Sequence, residues 1–272
     1  NILLEKPQSI NGNLPARSIT LMEHLCTNAL MKHLIKASPV DDLIRTKALV
    51  FLTKMLESQI CWPFTLSALL DRSLYEITMH KRMDRGLMQI EQIFKDLNEE
   101  TEPVAERMRL MTFVGLSSFA ENCVRIAGEY IKLGWHISAA SLYKELGMHE
   151  WAFEAYSQAH PDQALLYFEN IPADVAGTPR VLCVLGNIHK KEEYYLQAWE
   201  VSGHTSVRAM RCLGNLRFWR KDYEGSLEAY REAVRLNELQ LKCWQNMGFI
   251  YTYRQEAEEA LRCLQKVVLI DE

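Results

Sequence analysis

Residues 241–270 read LKCWQNMGFIYTYRQEAEEALRCLQKVVLI, and this stretch decides the fold. Gly214 recurs 34 positions later as Gly248, and Ser226 recurs at the same interval as Ala260. Small side chains at such positions allow two helices to approach closely, so we expect Gly248 on one helix to face Ala260 on the next. The interval predicts a unit of two antiparallel helices that buries its apolar face by stacking on its neighbours.

The last unit also carries a fuller pattern of apolar residues. This pattern fits the tetratricopeptide signature, W-x2-L-G-x2-Y followed by A-x3-F. The matching residues are Trp244, Met247, Gly248, Tyr251, Ala260, Leu264 and Val267. Glycine and proline are scarce elsewhere, and helix formers dominate between them. The sequence therefore predicts an all-α fold, a right-handed solenoid of antiparallel helix pairs that is tetratricopeptide-like toward the C-terminus.

Three regions follow from the distribution of turn formers. Residues 1–16 are rich in turn formers and are predicted to be a loop or a frayed segment, and residues 17–118 to be a helical region with long helices. Residues 119–272 are predicted to hold irregular helical pairs and then repeats, although unrelated amphipathic helices remain an alternative before residue 175. The predicted repeats are 179–206, 207–240 and 241–272, and Thr178-Pro179 is a typical helix start for the first of them.

Composition narrows the functional classes. The chain has 272 residues and a formal net charge of -4, which argues against bulk attraction to nucleic acid or an anionic membrane. No apolar run approaches the roughly 18 residues of a membrane helix. The 7 cysteines are scattered without a C-x-x-C pair, which favours free thiols in a reducing compartment.

The last third of the chain resembles a known family. Its unusual elements are Leu185-Gly186-Asn187, Tyr195, Ala198-Trp199-Glu200-x-Ser202, Ser206-x-Arg208-Ala209-x-Arg211, Leu236-Asn237, Gln240-Leu241, Trp244 and Gly248. They resemble the tetratricopeptide repeat protein 27 family. The resemblance implies a non-enzymatic, intracellular protein, cytoplasmic or also nuclear, that assists chaperone-dependent assembly of large complexes, including a spliceosomal particle. It also implies further repeats after residue 272, and no polar capping helix precedes that position.

The first helices of the repeats carry the candidate binding residues. In such repeats one stripe of each first helix faces the concave groove. Here the stripe contains cations, amides and aromatic rings but no acids, which suits an extended peptide that carries carboxylates. The candidate peptide-binding residues are Arg180, Asn187, Arg208, Arg211, Asn215, Phe218, Lys242, Asn246 and Phe249.

A sharper possibility is a two-carboxylate clamp, which is the set of cations and asparagines by which some repeat domains hold the C-terminal tails of heat-shock chaperones. Arg211, Asn215 and Asn246 match its first three places, and the last two would lie beyond residue 272. The expected partner is thus a protein or an acidic peptide tail, either of a heat-shock chaperone or of an assembly-complex subunit. The alternatives are an RNA-binding array in which Phe218, Trp219 and Phe249 stack on bases, and a purely structural scaffold segment.

Motifs of catalysis and metal binding are missing from the sequence. We find no G-x-S-x-G, no phosphate-binding glycine loop and no H-E-x-x-H. His149 and His160 are too far apart to share one helical face of a metal site. Cys212, Cys243 and Cys263 are expected to be inert packing residues. The sequence therefore predicts no catalytic residue, no cofactor and no metal.

Overall fold

The computed structural model describes residues 20–37, 42–58, 61–79, 81–98, 103–109, 114 and 118–271. The predicted loop at 1–16 lies outside these residues. Within the described ranges the backbone is helical and contains no strand, which confirms the predicted all-α helical-repeat class. The chain divides into two compact units, Asn1–Asn122 and Cys123–Glu272.

The first unit contains five helices among its described residues. They are α1 (Leu21–Ala37), α2 (Asp42–Ser58), α3 (Trp62–Glu76), α4 (Met83–Asn98) and α5 (Val104–Met108). Pro63 lies in the first turn of α3, where its missing N–H costs no helical hydrogen bond. Met31, Leu52 and Phe64 are buried together in the core of the unit.

A buried carboxylate connects α3 to α4. Glu76 is fully buried, and it accepts hydrogen bonds from Arg85, one of them 2.8 Å long from Nε. Arg72 Nε lies 3.9 Å from the same carboxylate. A buried carboxylate needs such partners because an unpaired charge in the interior is costly. This ion pair fixes how the two helices meet.

The second unit is a series of helices, of which the first begins at the end of the first unit. They are α6 (Phe119–Lys132), α7 (His136–Glu145), α8 (His149–Ala159), α9 (Pro161–Phe168), α10 (Ala173–Ala176), α11 (Pro179–His189), α12 (Glu192–Val201), α13 (Val207–Trp219), α14 (Tyr223–Leu236), α15 (Leu241–Tyr253) and α16 (Ala257–Asp271). The helices α11 and α12, α13 and α14, and α15 and α16 pack against each other as pairs. Each pair is one two-helix repeat.

The unequal repeat lengths have a simple structural cause. The first helices α11, α13 and α15 begin at residues 179, 207 and 241, which are 28 and 34 residues apart. The second helix α12 has 10 residues, whereas α14 has 14 and α16 has 15. The short interval therefore comes largely from a second helix that lacks one turn.

Two glycines of the repeats lie directly against tyrosine rings. A Cβ atom on Gly186 would lie 2.6 Å from the ring of Tyr195, and one on Gly214 would lie 2.6 Å from the ring of Tyr230. Real Cβ atoms do not approach other heavy atoms so closely, so only glycine permits these contacts. The Oγ of Ser226 also donates to the carbonyl of Gly214 at 2.9 Å.

Gly248 does not lie against a tyrosine ring, and Ala260 is not the nearest residue to the position of its Cβ, contrary to the sequence-based expectation. The nearest atoms to a Cβ built on Gly248 belong to Cys263 and Leu264, at 3.5 Å and 3.6 Å, and not to Ala260. These are ordinary van der Waals distances. The unit that fits the sequence signature best therefore has the looser contact, because no tyrosine crosses its glycine.

The exposed surface of the last helix is partly apolar. Leu261, Leu264, Val268 and Leu269 are exposed on it, together with charged side chains such as Arg262 and Lys266.

Substitution of the repeat glycines tests these contacts. Gly214→Ala should destabilise the chain by about 1–3 kcal/mol, because the new methyl group overlaps a fully buried ring that cannot move aside. Gly248→Ala and Gly128→Ala are matched controls inside helices, and both should be neutral or stabilising by up to about 1 kcal/mol because alanine is the better helix former. Urea unfolding would measure all three, and equal stability of the three variants would contradict the assigned contact.

Candidate peptide-binding surface

The predicted binding residues lie on three first helices. Arg180 and Asn187 are on α11, four residues are on α13 and three are on α15. The helices α11 and α13 pack against each other, and side-chain contacts join α13 to α15. We call these nine residues the repeat surface; they are Arg180, Asn187, Arg208, Arg211, Asn215, Phe218, Lys242, Asn246 and Phe249.

An acid lies among the arginines of this surface. Glu154 on α8 accepts two hydrogen bonds from Arg208, at 2.7 Å and 3.0 Å, and one from Arg180 at 2.9 Å. The expectation of a stripe without acids was therefore wrong at this end, because it considered only the last three first helices. Two guanidinium groups already share one carboxylate here, so their capacity to bind another carboxylate is reduced.

Arg180 also contacts Trp151, which lies on α8 like Glu154. Its guanidinium carbon lies 3.5 Å from the ring centroid of Trp151, which is a cation–π contact. Glu150 lies 3.9 Å from its Nε. Arg180 is thus held by α8 on several sides.

The remaining cations are less restrained. Arg211 donates one hydrogen bond of 3.0 Å to the side chain of Gln240, a neutral acceptor. Lys242 is exposed and makes no ion pair within the described residues. Positive charge available to a ligand is therefore concentrated on α13 and α15.

Three polar side chains form a cluster between the last two repeats. The Tyr230 hydroxyl donates to Asn215 Oδ1 at 2.7 Å. Asn246 Nδ2 donates to the Tyr230 oxygen at 2.8 Å and to Asn215 Oδ1 at 3.3 Å. Burial raises the pKa of Tyr230 to about 12, so the hydroxyl keeps the proton that it donates. The structure thus brings together two of the three residues assigned to the clamp.

The previous repeat has a similar contact. The Tyr195 hydroxyl donates to Asn187 Oδ1 at 2.8 Å. Burial raises the pKa of Tyr195 as well, so this hydroxyl is also protonated. Asn187 and Asn215 each follow the glycine that a tyrosine ring covers, so they occupy equivalent positions.

Aromatic rings cover the end of the surface. Phe218 and Phe249 form an edge contact with centroids 5.6 Å apart, and Tyr223 and Tyr253 lie 5.2 Å apart. Trp219 is 81% exposed, Tyr253 66% and Phe249 56%. Neighbouring aromatic rings exposed to this extent are typical of protein-binding surfaces.

Cys212 on α13 lies close to a second cysteine and to two arginines. The neighbouring Cys183 thiol and, after it, the guanidinium groups of Arg208 and Arg211 together lower the pKa of Cys212 to about 7, although burial acts in the opposite direction. The neighbouring Cys212 thiol and burial raise the pKa of Cys183. Cys212 is partly accessible, so the lowered pKa predicts a more reactive thiol than the inert packing residue expected from the sequence.

The described residues offer neither a metal site nor a membrane-spanning helix. They contain no group of three or more histidine, cysteine, aspartate or glutamate side chains that could hold a metal ion. None of the helices described is long and apolar enough to cross a membrane.

The chain has relatives of known sequence. No protein-family model matches it. It is 24% identical over 263 residues to the tetratricopeptide repeat-containing protein trd-1 of Caenorhabditis elegans, covering 94% of this chain and 34% of that protein. It is 23% identical over 208 residues to the tetratricopeptide repeat protein 27 homolog of Dictyostelium discoideum, covering 76% of this chain and 24% of that protein. The chain thus spans about a third or less of the length of these relatives.

Two solved structures align with the chain. The Cut9-Hcn1 hetero-tetramer of the APC/C aligns with a TM-score of 0.44 and 16% identity, covering 92% of this chain and 53% of that one. MamA aligns with a TM-score of 0.36 and 13% identity, covering 62% of this chain and 95% of that one.

The helix pairs and their packing define the class: the chain is an all-α helical-repeat protein, and its relatives are named for tetratricopeptide repeats. The named relatives further confirm its resemblance to the tetratricopeptide repeat protein 27 family.

Removal of the shared carboxylate should weaken the repeat array. Glu154→Gln leaves the half-buried Arg208 without its carboxylate and leaves Arg180 with only the more distant Glu150, and we expect a loss of about 2 kcal/mol in the free energy of unfolding. Glu232→Gln is the matched control, because the ion pair of Glu232 with Arg235 is exposed and should contribute less than about 0.5 kcal/mol. Denaturant unfolding would measure both, and equal losses would show that Glu154 has no special structural role.

The reactivity of Cys212 should follow its lowered pKa. Its alkylation by iodoacetamide should rise with pH around a midpoint near 7, since the thiolate is the reactive form. Cys183→Ala should move the midpoint upward, whereas Cys183→Ser keeps a hydrogen-bond donor and should move it less. Peptide mass spectrometry would follow each cysteine. Cys243 is the internal control, because burial raises its pKa to about 11. A wild-type midpoint for Cys212 above the ordinary thiol pKa would overturn the assignment.

Proposed function

We propose that this chain is a non-catalytic scaffold that binds a segment of another protein on the repeat surface. The observation that carries the proposal is the exposed aromatic group Trp219, Phe249 and Tyr253, beside the amides of Asn215 and Asn246. Aromatic anchors next to directional polar groups are typical of protein-binding surfaces. The tetratricopeptide relatives support a role in protein interaction.

The charges favour an acidic segment. Arg211 has only a neutral partner, and Lys242 is exposed on the next repeat. Glu154, the acid that lies on this surface, is occupied by two arginines. A ligand with carboxylates near an apolar side chain would therefore meet cations and aromatic rings at once.

The family resemblance supports a more specific cellular role. We place the chain among cofactors of chaperone-assisted assembly, in the cytoplasm or also the nucleus, with a heat-shock chaperone or an assembly-complex subunit as partner. Arg211, Asn215 and Asn246 would then contribute to binding its acidic tail. A clamp for two carboxylates would need two further cations beyond residue 272.

A peptide-binding experiment tests the proposal. The probe is a fluorescein-labelled decapeptide of aspartate and glutamate with one central phenylalanine and a free C-terminus. Arg211→Ala should weaken its binding about tenfold, since a charge-assisted contact is lost. Asn246→Ala should weaken it less, because a neutral hydrogen bond contributes less. Fluorescence anisotropy at low salt would measure the dissociation constants.

Arg235→Ala is the matched control for this experiment. Arg235 is an exposed arginine on α14, outside the repeat surface, and its removal should leave affinity unchanged. Single-stranded RNA is the competitor for the alternative function, in which the exposed rings stack on bases. RNA that displaces the peptide and binds with a steep salt dependence would reject the proposal in favour of that alternative.

A further inference from the structure

Three helices, α14, α15 and α16, line a cavity of about 470 Å³. This volume is in the range of small-molecule sites, which is about 300–1,000 Å³. The floor of the cavity is apolar, since Met247, Tyr251 and Cys263 are buried there. The side chains around this floor are Arg231, Trp244, Glu259, Arg262, Lys266 and Leu269.

The cavity and the repeat surface lie on opposite sides of α15. Successive residues of an α-helix are rotated by about 100° around its axis, because a turn has about 3.6 residues. The three residues that α15 contributes to the repeat surface therefore share one side of the helix. Trp244, Met247 and Tyr251, which line the cavity, share the other side. A ligand in the cavity is thus separate from a ligand on the repeat surface.

One cation of the cavity has no carboxylate partner. Arg231 is exposed and donates a hydrogen bond of 2.8 Å to the Tyr251 hydroxyl, a neutral acceptor, and it forms no ion pair within the described residues. Glu259 and Glu228 lie in its neighbourhood without pairing with it. Glu259 is already bound to Arg262 at 2.7 Å. A ligand carboxylate on Arg231 would therefore form a charge-assisted contact that the protein itself does not supply.

The apolar part of the cavity extends away from this arginine. The lining residues of α16 run from Glu259 to Leu269, and a helix rises about 1.5 Å per residue, so they span about 15 Å. α15 is the antiparallel partner of α16, which places Tyr251 toward the Glu259 end and Trp244 toward the Leu269 end. Arg231 contacts Tyr251, so the cation is at one end of the cavity and apolar side chains continue to the other.

We propose that this cavity binds a small apolar carboxylate, whose carboxylate lies on Arg231 and whose hydrocarbon body lies on Met247, Cys263 and Leu269. Medium-chain fatty acids and aromatic acids of similar length belong to this class. A free small molecule fits better than one side chain of a partner protein, because a leucine or phenylalanine side chain would reach only part of the cavity. The cavity lies outside the repeat surface, so this proposal goes beyond the proposed function and does not depend on it.

The test uses the full 272-residue chain with decanoate as the probe, kept below the concentration at which it forms micelles. Methionine methyl groups labelled with ¹³C report the binding by NMR, and Met247→Leu identifies the signal of Met247. We expect a saturable shift of the Met247 signal and no shift of Met88, which is exposed in the first unit. Octanoate should bind about tenfold more weakly than decanoate, because two buried methylene groups are lost.

Variants of exposed residues test the two ends of the cavity without disturbing the core. Arg231→Gln should weaken decanoate binding about tenfold, since a charge-assisted contact is lost, and should leave the binding of decyl alcohol unchanged. Arg235→Gln is the matched control, because Arg235 is exposed one turn further along α14 and does not line the cavity. Leu269→Ala should weaken decanoate binding about threefold or more, whereas Leu261→Ala, exposed on the same helix outside the cavity, should not.

Three outcomes would overturn the proposal. Equal affinity for decanoate and decyl alcohol would show that the cavity does not recognise a carboxylate. Shifts of Met88 as large as those of Met247 would show adsorption to apolar surface, and the lack of any saturable shift would show that the cavity is not a site for this class. Arg211→Ala should weaken the acidic peptide and leave decanoate binding unchanged, so the failure of one proposal is distinguishable from the failure of the other.

Discussion

The structure of the repeats depends on the close approach of a tyrosine ring to a glycine. The rings of Tyr195 and Tyr230 lie where a side chain on Gly186 or Gly214 would be, so the paired helices can pack with the rings between them. Both rings are almost completely buried, which contributes much of the apolar area that each repeat removes from water. The same geometry brings each hydroxyl to the asparagine that follows the glycine. The contact between tyrosine and glycine therefore determines both the packing of the helix pair and the orientation of the asparagine side chain.

The charged contacts then divide the repeat surface into two parts. On α11 and at the start of α13, the guanidinium groups are neutralised by Glu154 and serve to join three helices. Toward α15, cations without a carboxylate partner lie near amides and exposed aromatic rings. Breaking an ion pair within the protein to bind a ligand carboxylate yields little net free energy, because one charged contact is exchanged for another. The cations of the repeat surface that have no carboxylate partner therefore lie in the last two repeats.

The sequence predicted the helical class and many of the surface positions, because both follow from periodicity. The intervals between Gly214 and Gly248 and the start at Pro179 place the first helices correctly. Periodicity could not reveal Glu154, which is distant in sequence from both of its arginines. A tyrosine in the second helix of each of the two earlier repeats was a visible signal for the asparagine contacts, but its reach depends on the packing of the helix pair.

By itself, the sequence determined that the chain is helical, that small residues recur at the repeat interval, and that cations, amides and aromatic rings share one stripe. These properties are local, since spacing along one helix decides which side chains share a face. Only the tertiary structure decided that Cys263 and Leu264 lie nearest to the position of a Cβ on Gly248, that Cys212 lies beside Cys183, and which arginines are already paired. Those outcomes depend on how helices far apart in sequence are oriented and brought within a few ångströms, which no interval along the chain specifies.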